Sequence, residues 1–146
     1  MSFCLTLPAW VSMKPFEYCF QVRFQDLDPA GILFFARLFD HVHDAYAALL
    51  ADAGYSLKAI LESGDYLIPL VHAEADYLQP LQLDDHVCVA MTVEAAGNSS
   101  LSFSYAFHKD GTRCAIARTT HVFIGSRSRK PVPVPEQLLR RLASSS

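Results

Sequence analysis

Between Leu33 and Ala53 apolar side chains return at helical spacing, while on both sides of that stretch they alternate one by one. One long helix set among strands restricts this chain more than any other feature. Phe34, Phe35, Leu38, Phe39, Val42, Tyr46, Leu49 and Leu50 make one side of the helix, and Arg37, Asp40, Asp44 and Asp52 the other. Gly54 is placed to stop it, and Ser56 to cap a shorter helix over Leu57–Glu62 that Gly64 ends. Ahead of the long helix, Phe16, Tyr18, Phe20, Val22 and Phe24 alternate with polar residues, which predicts a strand with one aromatic face. Behind it come four more alternating runs, at Val71–Tyr77, Val87–Glu94, Leu101–His108 and Ile116–Ile124. Asp110-Gly111 is a hairpin-turn signal between the last two. Pro135 opens a short terminal helix over Glu136–Leu142.

A sheet with one apolar face needs a cover, and the Leu33–Ala53 helix is the long element available. The expected fold class is α+β, a curved antiparallel sheet wrapped around one long central helix. The 146 residues suffice for one domain, expected over 15–142, with an N-terminal extension at 1–14 and a frayed tail at 143–146. A net charge of −3 gives no broad electrostatic footprint for nucleic acid. No apolar run reaches the length of a membrane span. Cys4, Cys19, Cys88 and Cys114 form no C-x-x-C pair and no secretory signal precedes them, so four free thiols in the cytoplasm are expected. Either Met1 or Met13 serves as the translation start. His72, Glu74 and Asp76 alternate on one strand face, which reads as a wet surface or a dimer contact. No metal and no cofactor is predicted.

The run Val22-Arg23-Phe24-Gln25-Asp26-Leu27-Asp28-Pro29-Ala30-Gly31-Ile32-Leu33-Phe34-Phe35 resembles the loop motif of the 4-hydroxybenzoyl-CoA thioesterase family. The likeness continues through Pro69–Leu81, Asp84-Asp85 and Pro131–Pro135, covering about Phe16 to Leu142. It implies the hotdog fold, a homodimer or homotetramer with active sites at the dimer interface, and acyl-CoA thioester hydrolysis with Asp28 as the catalytic carboxylate.

Such hydrolysis needs an ionised carboxylate near the acyl carbon and donors aimed at the oxygen that becomes negative. A helix start supplies unpaired N–H groups and a positive dipole end, and Asp28 is expected just before one. Gly31 leaves room for a substrate beside the backbone. The resemblance assigns the polarising donor to the backbone N–H of Phe35. Asp28 then either attacks directly or activates water. Read without the resemblance, Asp28-Pro29-Ala30-Gly31 is also a common turn with an aspartate cap. Asp26 reads as structural, bonding loop amides or a basic neighbour.

Some branches of the family carry a histidine where this chain has Phe35. Phe35 with His43-Asp44-Ala45-Tyr46 is more similar to the aryl-CoA branch, which includes 1,4-dihydroxy-2-naphthoyl-CoA thioesterases. Phe35, Phe39 and His43 are expected on one helical stripe about 12 Å long, with a ring bound between them and His43 at a distal hydroxyl. A partly buried His43 bonded to backbone is the plainer alternative. Ser99 and Ser100 correspond to a region bordering the acyl pocket, or are simple turn residues. Arg127, Arg129 and Lys130 are candidates for the phosphates of coenzyme A, or a solvated loop. The competing activities are short- or medium-chain acyl-CoA or acyl-carrier-protein hydrolysis, and acyl binding without catalysis, because hotdog domains serve several functions.

Overall fold

The structure is a computed structural model that describes residues 14–144. Met1–Met13, with Cys4 and most of the expected extension, and residues 145–146 of the expected tail lie outside the described residues.

β1 (Phe16–Gln21) presents Phe16, Tyr18 and Phe20 to the interior. It is shorter than the alternation predicts. The backbone leaves the strand at Val22, whose N–H bonds the Asp85 carbonyl. Asp26 then accepts from the Arg23 N–H at 2.9 Å and closes a 3-10 turn over Phe24–Asp26. Phe24 is consequently thrown into solvent, 79% exposed, instead of extending the aromatic face.

The long helix also begins later than its apolar pattern. α1 spans Arg37–Asp52, not Leu33–Ala53. Leu27 bridges Leu33, Ile32 bridges Gln82, and the Phe34 N–H bonds the Asp26 carbonyl. Backbone committed to those strand-like bonds cannot also enter a helical ladder. The exit follows the sequence closely. Gly54 adopts φ +82°, the Tyr55 N–H reaches the Leu50 carbonyl and the Gly54 N–H reaches Ala51, a Schellman closure. Ser56 then caps α2 (Leu57–Ser63) by accepting from the Ala59 N–H at 3.1 Å.

β2 (Tyr66–Leu67), β3 (Leu70–Tyr77), β4 (His86–Ala96), β5 (Ser100–Lys109), β6 (Thr112–Val122), β7 (Ile124–Gly125) and α3 (Glu136–Ser144) complete the chain. The main sheet is antiparallel in the order β1-β4-β5-β6-β3, and β2 pairs with β7. Asp110 and Gly111 both take positive φ between paired Lys109 and Thr112, the two-residue turn expected there.

α1 crosses the inner face of this sheet. His41 stacks on Phe20 of β1 at 3.7 Å, and Tyr46 stacks on His121 of β6 at 4.2 Å. Leu38, Val42, Leu49 and Leu50 join Val89, Met91, Phe103 and Phe107 in one buried cluster, which Leu138 and Leu142 of α3 extend. This is α+β architecture, the hotdog fold.

The thiols depart from expectation. β1 and β4 pair with Cys19 directly opposite Cys88, and the two are joined in a disulfide across 69 residues of sequence. Strand register, invisible in the spacing of the cysteines, brings them together. Cys114 is buried and free.

Candidate functional site

Asp28 sits in a tight turn. Its N–H bonds the Ile32 carbonyl at 2.9 Å, and its carbonyl accepts from the Gly31 N–H at 3.0 Å. Oδ1 of its half-buried carboxylate accepts from the Ala30 N–H at 2.8 Å and the Ile32 N–H at 3.4 Å; Oδ2 takes none of these bonds. One oxygen therefore orients the carboxylate, while the other has no hydrogen-bond partner among the described residues. Gly31 makes the turn possible with φ +79°, and open space lies where its side chain would be.

Residues 29–36 separate Asp28 from α1, so the carboxylate is not placed immediately before the helix as expected. Phe35 occupies the approach rather than the first helical turn. Its ring is 64% exposed beside Phe34, and its carbonyl accepts a short hydrogen bond from the Tyr77 hydroxyl of β3. Its N–H meets no acceptor among the described residues. The expected stripe of Phe35, Phe39 and His43 is therefore not continuous, because helical spacing begins only at Arg37.

Asp26 is buried and structural. Besides the Arg23 N–H it stands 3.3 Å from Nε2 of His41, at ion-pair distance but off the line of a hydrogen bond.

On the opposite flank of α1 the structure opens a cavity of about 360 Å³, within the usual size range of small-molecule sites. Phe39, Val42, His43 and Tyr46 line it from α1, and Leu57 and Ile60 of α2 with Leu67, Ile68 and Leu70 close it. Its floor is polar. The Tyr105 hydroxyl lies 2.9 Å from Oγ1 of Thr119, which lies 3.1 Å from Nε2 of His121. All three side chains are buried. Burial, aided by the charge of His43, drives the His121 pKa down to about 4, so the ring is neutral at pH 7. Desolvation likewise raises the Tyr105 phenol well above its ordinary value.

The cavity thus unites Phe39 and His43 but not the other candidates. Asp28, Gly31 and Phe35 do not line it. Ser99 and Ser100 sit at the β4–β5 turn, where the Ser99 carbonyl accepts from the Phe123 N–H. Arg127, Arg129 and Lys130 are exposed in the connection from β7 to α3. His72 and Glu74 pair with each other at 3.1 Å, and Glu74 reaches Arg118 at 3.8 Å. Sequence reasoning overlooked Tyr105, Thr119 and His121. The available signal was two polar residues, Thr119 and His121, interrupting the face that β6 shares with Ala117 and Phe123.

No helix among the described residues is long and apolar enough to cross a membrane. Residues 22–142 match the thioesterase-like superfamily. A 1,4-dihydroxy-2-naphthoyl-CoA hydrolase of Synechococcus elongatus is 34% identical over 125 residues, spanning 84% of this chain and 92% of the relative. One from Rippkaea orientalis is 31% identical over 132 residues, spanning 88% and 96%. The crystal structure of a 1,4-dihydroxy-2-naphthoyl-CoA thioesterase from Synechocystis superposes with a TM-score of 0.84 at 30% identity, covering 88% of this chain and 96% of that one.

Proposed function

Because the chain belongs to the thioesterase-like superfamily, we propose that it hydrolyses the thioester of an aromatic acyl-CoA, with 1,4-dihydroxy-2-naphthoyl-CoA or 4-hydroxybenzoyl-CoA as the type of substrate. The observation that carries this reading is the apolar cavity on α1, the same helix whose approach presents the Asp28 turn and the unengaged Phe35 N–H. Relatives named for hydrolysis of 1,4-dihydroxy-2-naphthoyl-CoA support the aromatic assignment.

In this mechanism the substrate carbonyl oxygen takes the Phe35 N–H, which stabilises the negative charge that develops there. The Asp28 carboxylate either adds to the carbonyl carbon to form a mixed anhydride or removes a proton from the attacking water. Either route expels the coenzyme A thiolate, which a proton then neutralises; on the first, water then cleaves the anhydride, releasing the free acid and restoring the Asp28 carboxylate. Gly31 keeps the approach open. Phe39 and His43 hold the acyl ring, Ser99 and Ser100 border the acyl path, and Arg127, Arg129 and Lys130 meet the phosphates of coenzyme A.

The working unit is a homo-oligomer. β3 supports this: among the described residues it pairs only with β6 in the main sheet, and Leu70, Val71 and Tyr77 are exposed along it. A long edge with apolar side chains is a template for another strand. Pairing two copies there would set the Tyr77–Phe35 bond and the start of α1 beside the partner, where the site is completed.

Thiol release from a panel of benzoyl-, 1,4-dihydroxy-2-naphthoyl-, hexanoyl- and palmitoyl-CoA tests the reading. Turnover should favour the aromatic members, and Asp28→Ala should lower kcat by roughly 10²–10⁴-fold, the usual scale for a positioned acid–base group, without changing the circular dichroism. Activity close to that of the unaltered protein would remove Asp28 from the mechanism. No turnover of any member would favour an acyl-binding role instead.

A further inference from the structure

The approach to α1 holds the peptide groups around Phe35 in an uneven way. Residues 29–36 precede the helix, so no helical ladder fixes their N–H groups. The Phe34 N–H bonds the Asp26 carbonyl at 2.8 Å, and the Phe34 carbonyl accepts from the Arg37 N–H at 2.9 Å. That carbonyl shares a peptide plane with the Phe35 N–H, which meets no acceptor among the described residues. The following plane begins with the Phe35 carbonyl, and it is held from outside. The Tyr77 hydroxyl of β3 donates to it across 42 residues of sequence. Phe35 is thereby pinned between two planes, one fixed within the turn and the other by a side chain of the sheet.

Tyr77 is itself anchored. Its backbone pairs with Ala115 of β6, and the N–H groups of Leu78 and Gln79 both bond the Cys114 carbonyl, at 2.9 and 3.0 Å. Desolvation raises its phenol above the ordinary value, so the hydroxyl keeps its hydrogen at neutral pH. Tyr77 also lines a cavity of about 380 Å³ with Ile32, the residue whose N–H and carbonyl both meet Asp28. The Asp28 turn and the anchor of Phe35 therefore border one opening.

Resting on the thioesterase reading above, we propose that Tyr77 is a positioning residue for the oxyanion donor: by holding the Phe35 carbonyl, it aims the Phe35 N–H at the thioester oxygen that becomes negative. The hydroxyl itself does not touch the substrate. Without it the plane after Phe35 is free to turn, and the N–H is held from one side only. A donor stabilises developing charge in proportion to its preorganisation, because a mobile one must be reoriented as the charge forms. The Asp28 turn closes on its own short-range bonds, whereas the donor depends on β3, so mutation can separate the two halves of the chemistry.

Tyr77→Phe tests this. It keeps the half-exposed ring and removes only the hydroxyl, so circular dichroism and the unfolding midpoint should match the parent. With 4-hydroxybenzoyl-CoA or 1,4-dihydroxy-2-naphthoyl-CoA, kcat should fall roughly tenfold to hundredfold, less than the roughly 10²–10³ that deleting such a donor outright costs. KM should stay within about threefold, the pattern of an interaction made in the transition state alone. A rise in KM with kcat intact, or no change in either, would overturn the proposal.

A disturbed oligomer would also lower kcat, and a spectroscopic readout separates the two. 4-Hydroxyphenacyl-CoA, a ketone with a methylene group between carbonyl and sulfur, presents the same oxygen and cannot be hydrolysed. In isotope-edited infrared spectra its carbonyl stretch should drop in frequency on binding the parent, as a polarised carbonyl does. Most of that drop should vanish in Tyr77→Phe and persist in Asp28→Ala. An equal drop in the parent and in Tyr77→Phe would overturn the proposal. No hydrolysis of any ester, with the drop behaving as described, would sink the hydrolase reading and leave the positioning role standing. Hydrolysis without a drop, or with one insensitive to Tyr77, would do the opposite.

Discussion

β3 and β5 carry the same alternation of apolar and polar residues, and the structure treats them oppositely. In β5, Leu101, Phe103, Tyr105 and Phe107 are all buried, lying under α1 between β4 and β6. In β3, only Ala75 is even half-buried, and Leu70 and Val71 remain more than half exposed. The difference lies in position, not pattern. A central strand has two neighbours and a covered face, whereas the outermost one has a neighbour on one side and little of α1 above it. Alternation therefore reports that a strand can bury one face, and the sheet order decides whether this chain alone does so.

The comparison can be broken by substitution. Phe103→Ala should cost about 3–5 kcal/mol, since it empties the centre of the core beneath Tyr46. Urea unfolding would register that, and a loss below 1 kcal/mol would mean that β5 is not the covered strand.

Acid should attack the covered side next. The folded-state pKa of His121 lies near 4, below the ordinary 6.5, so the unfolded chain takes up the proton first as pH falls. Stability from this group is complete above pH 6.5 and drains away between 6.5 and 4, by up to about 3 kcal/mol. Unfolding midpoints at pH 7.5 and 4.5 should show the loss, and His121→Phe should flatten it. An equal slope in that variant would assign the acid sensitivity elsewhere.

The smallest effect on stability belongs to the edge. Val71→Lys in β3 should alter the unfolding free energy by no more than about 0.5 kcal/mol, as for other exposed positions, yet shift the sedimenting species toward the monomer. A large loss of stability with an unchanged oligomer would show that β3 is buried by something other than a second copy.

The starts and stops of elements separate along the same line. The exit of α1 was legible because Gly54 and Ser56 act through bonds within a few residues: the Schellman closure and the Ser56–Ala59 cap are local chemistry. The start of α1 was misjudged because Leu33 and Phe34 are helix-compatible by pattern but are held by Leu81 and by the Asp26 carbonyl, partners that the apolar periodicity does not report. Phe35 lost its place on the Phe39–His43 stripe for the same reason. The Cys19–Cys88 bond was hidden likewise, since strand register brings together residues far apart in the chain.

By itself, the amino-acid sequence determined the order of the helices and of the five main-sheet strands, the helix that covers the sheet, the Asp110-Gly111 turn and the Asp28 turn, all of which follow from periodicity and short-range backbone chemistry; the short β2–β7 pair was not among them. Tertiary structure alone decided which strand lies at the edge, where α1 begins, and that Tyr105, Thr119 and His121 meet on one floor. Those depend on which distant strands become neighbours, and hydrogen bonds across a sheet join residues whose separation along the chain carries no local signal.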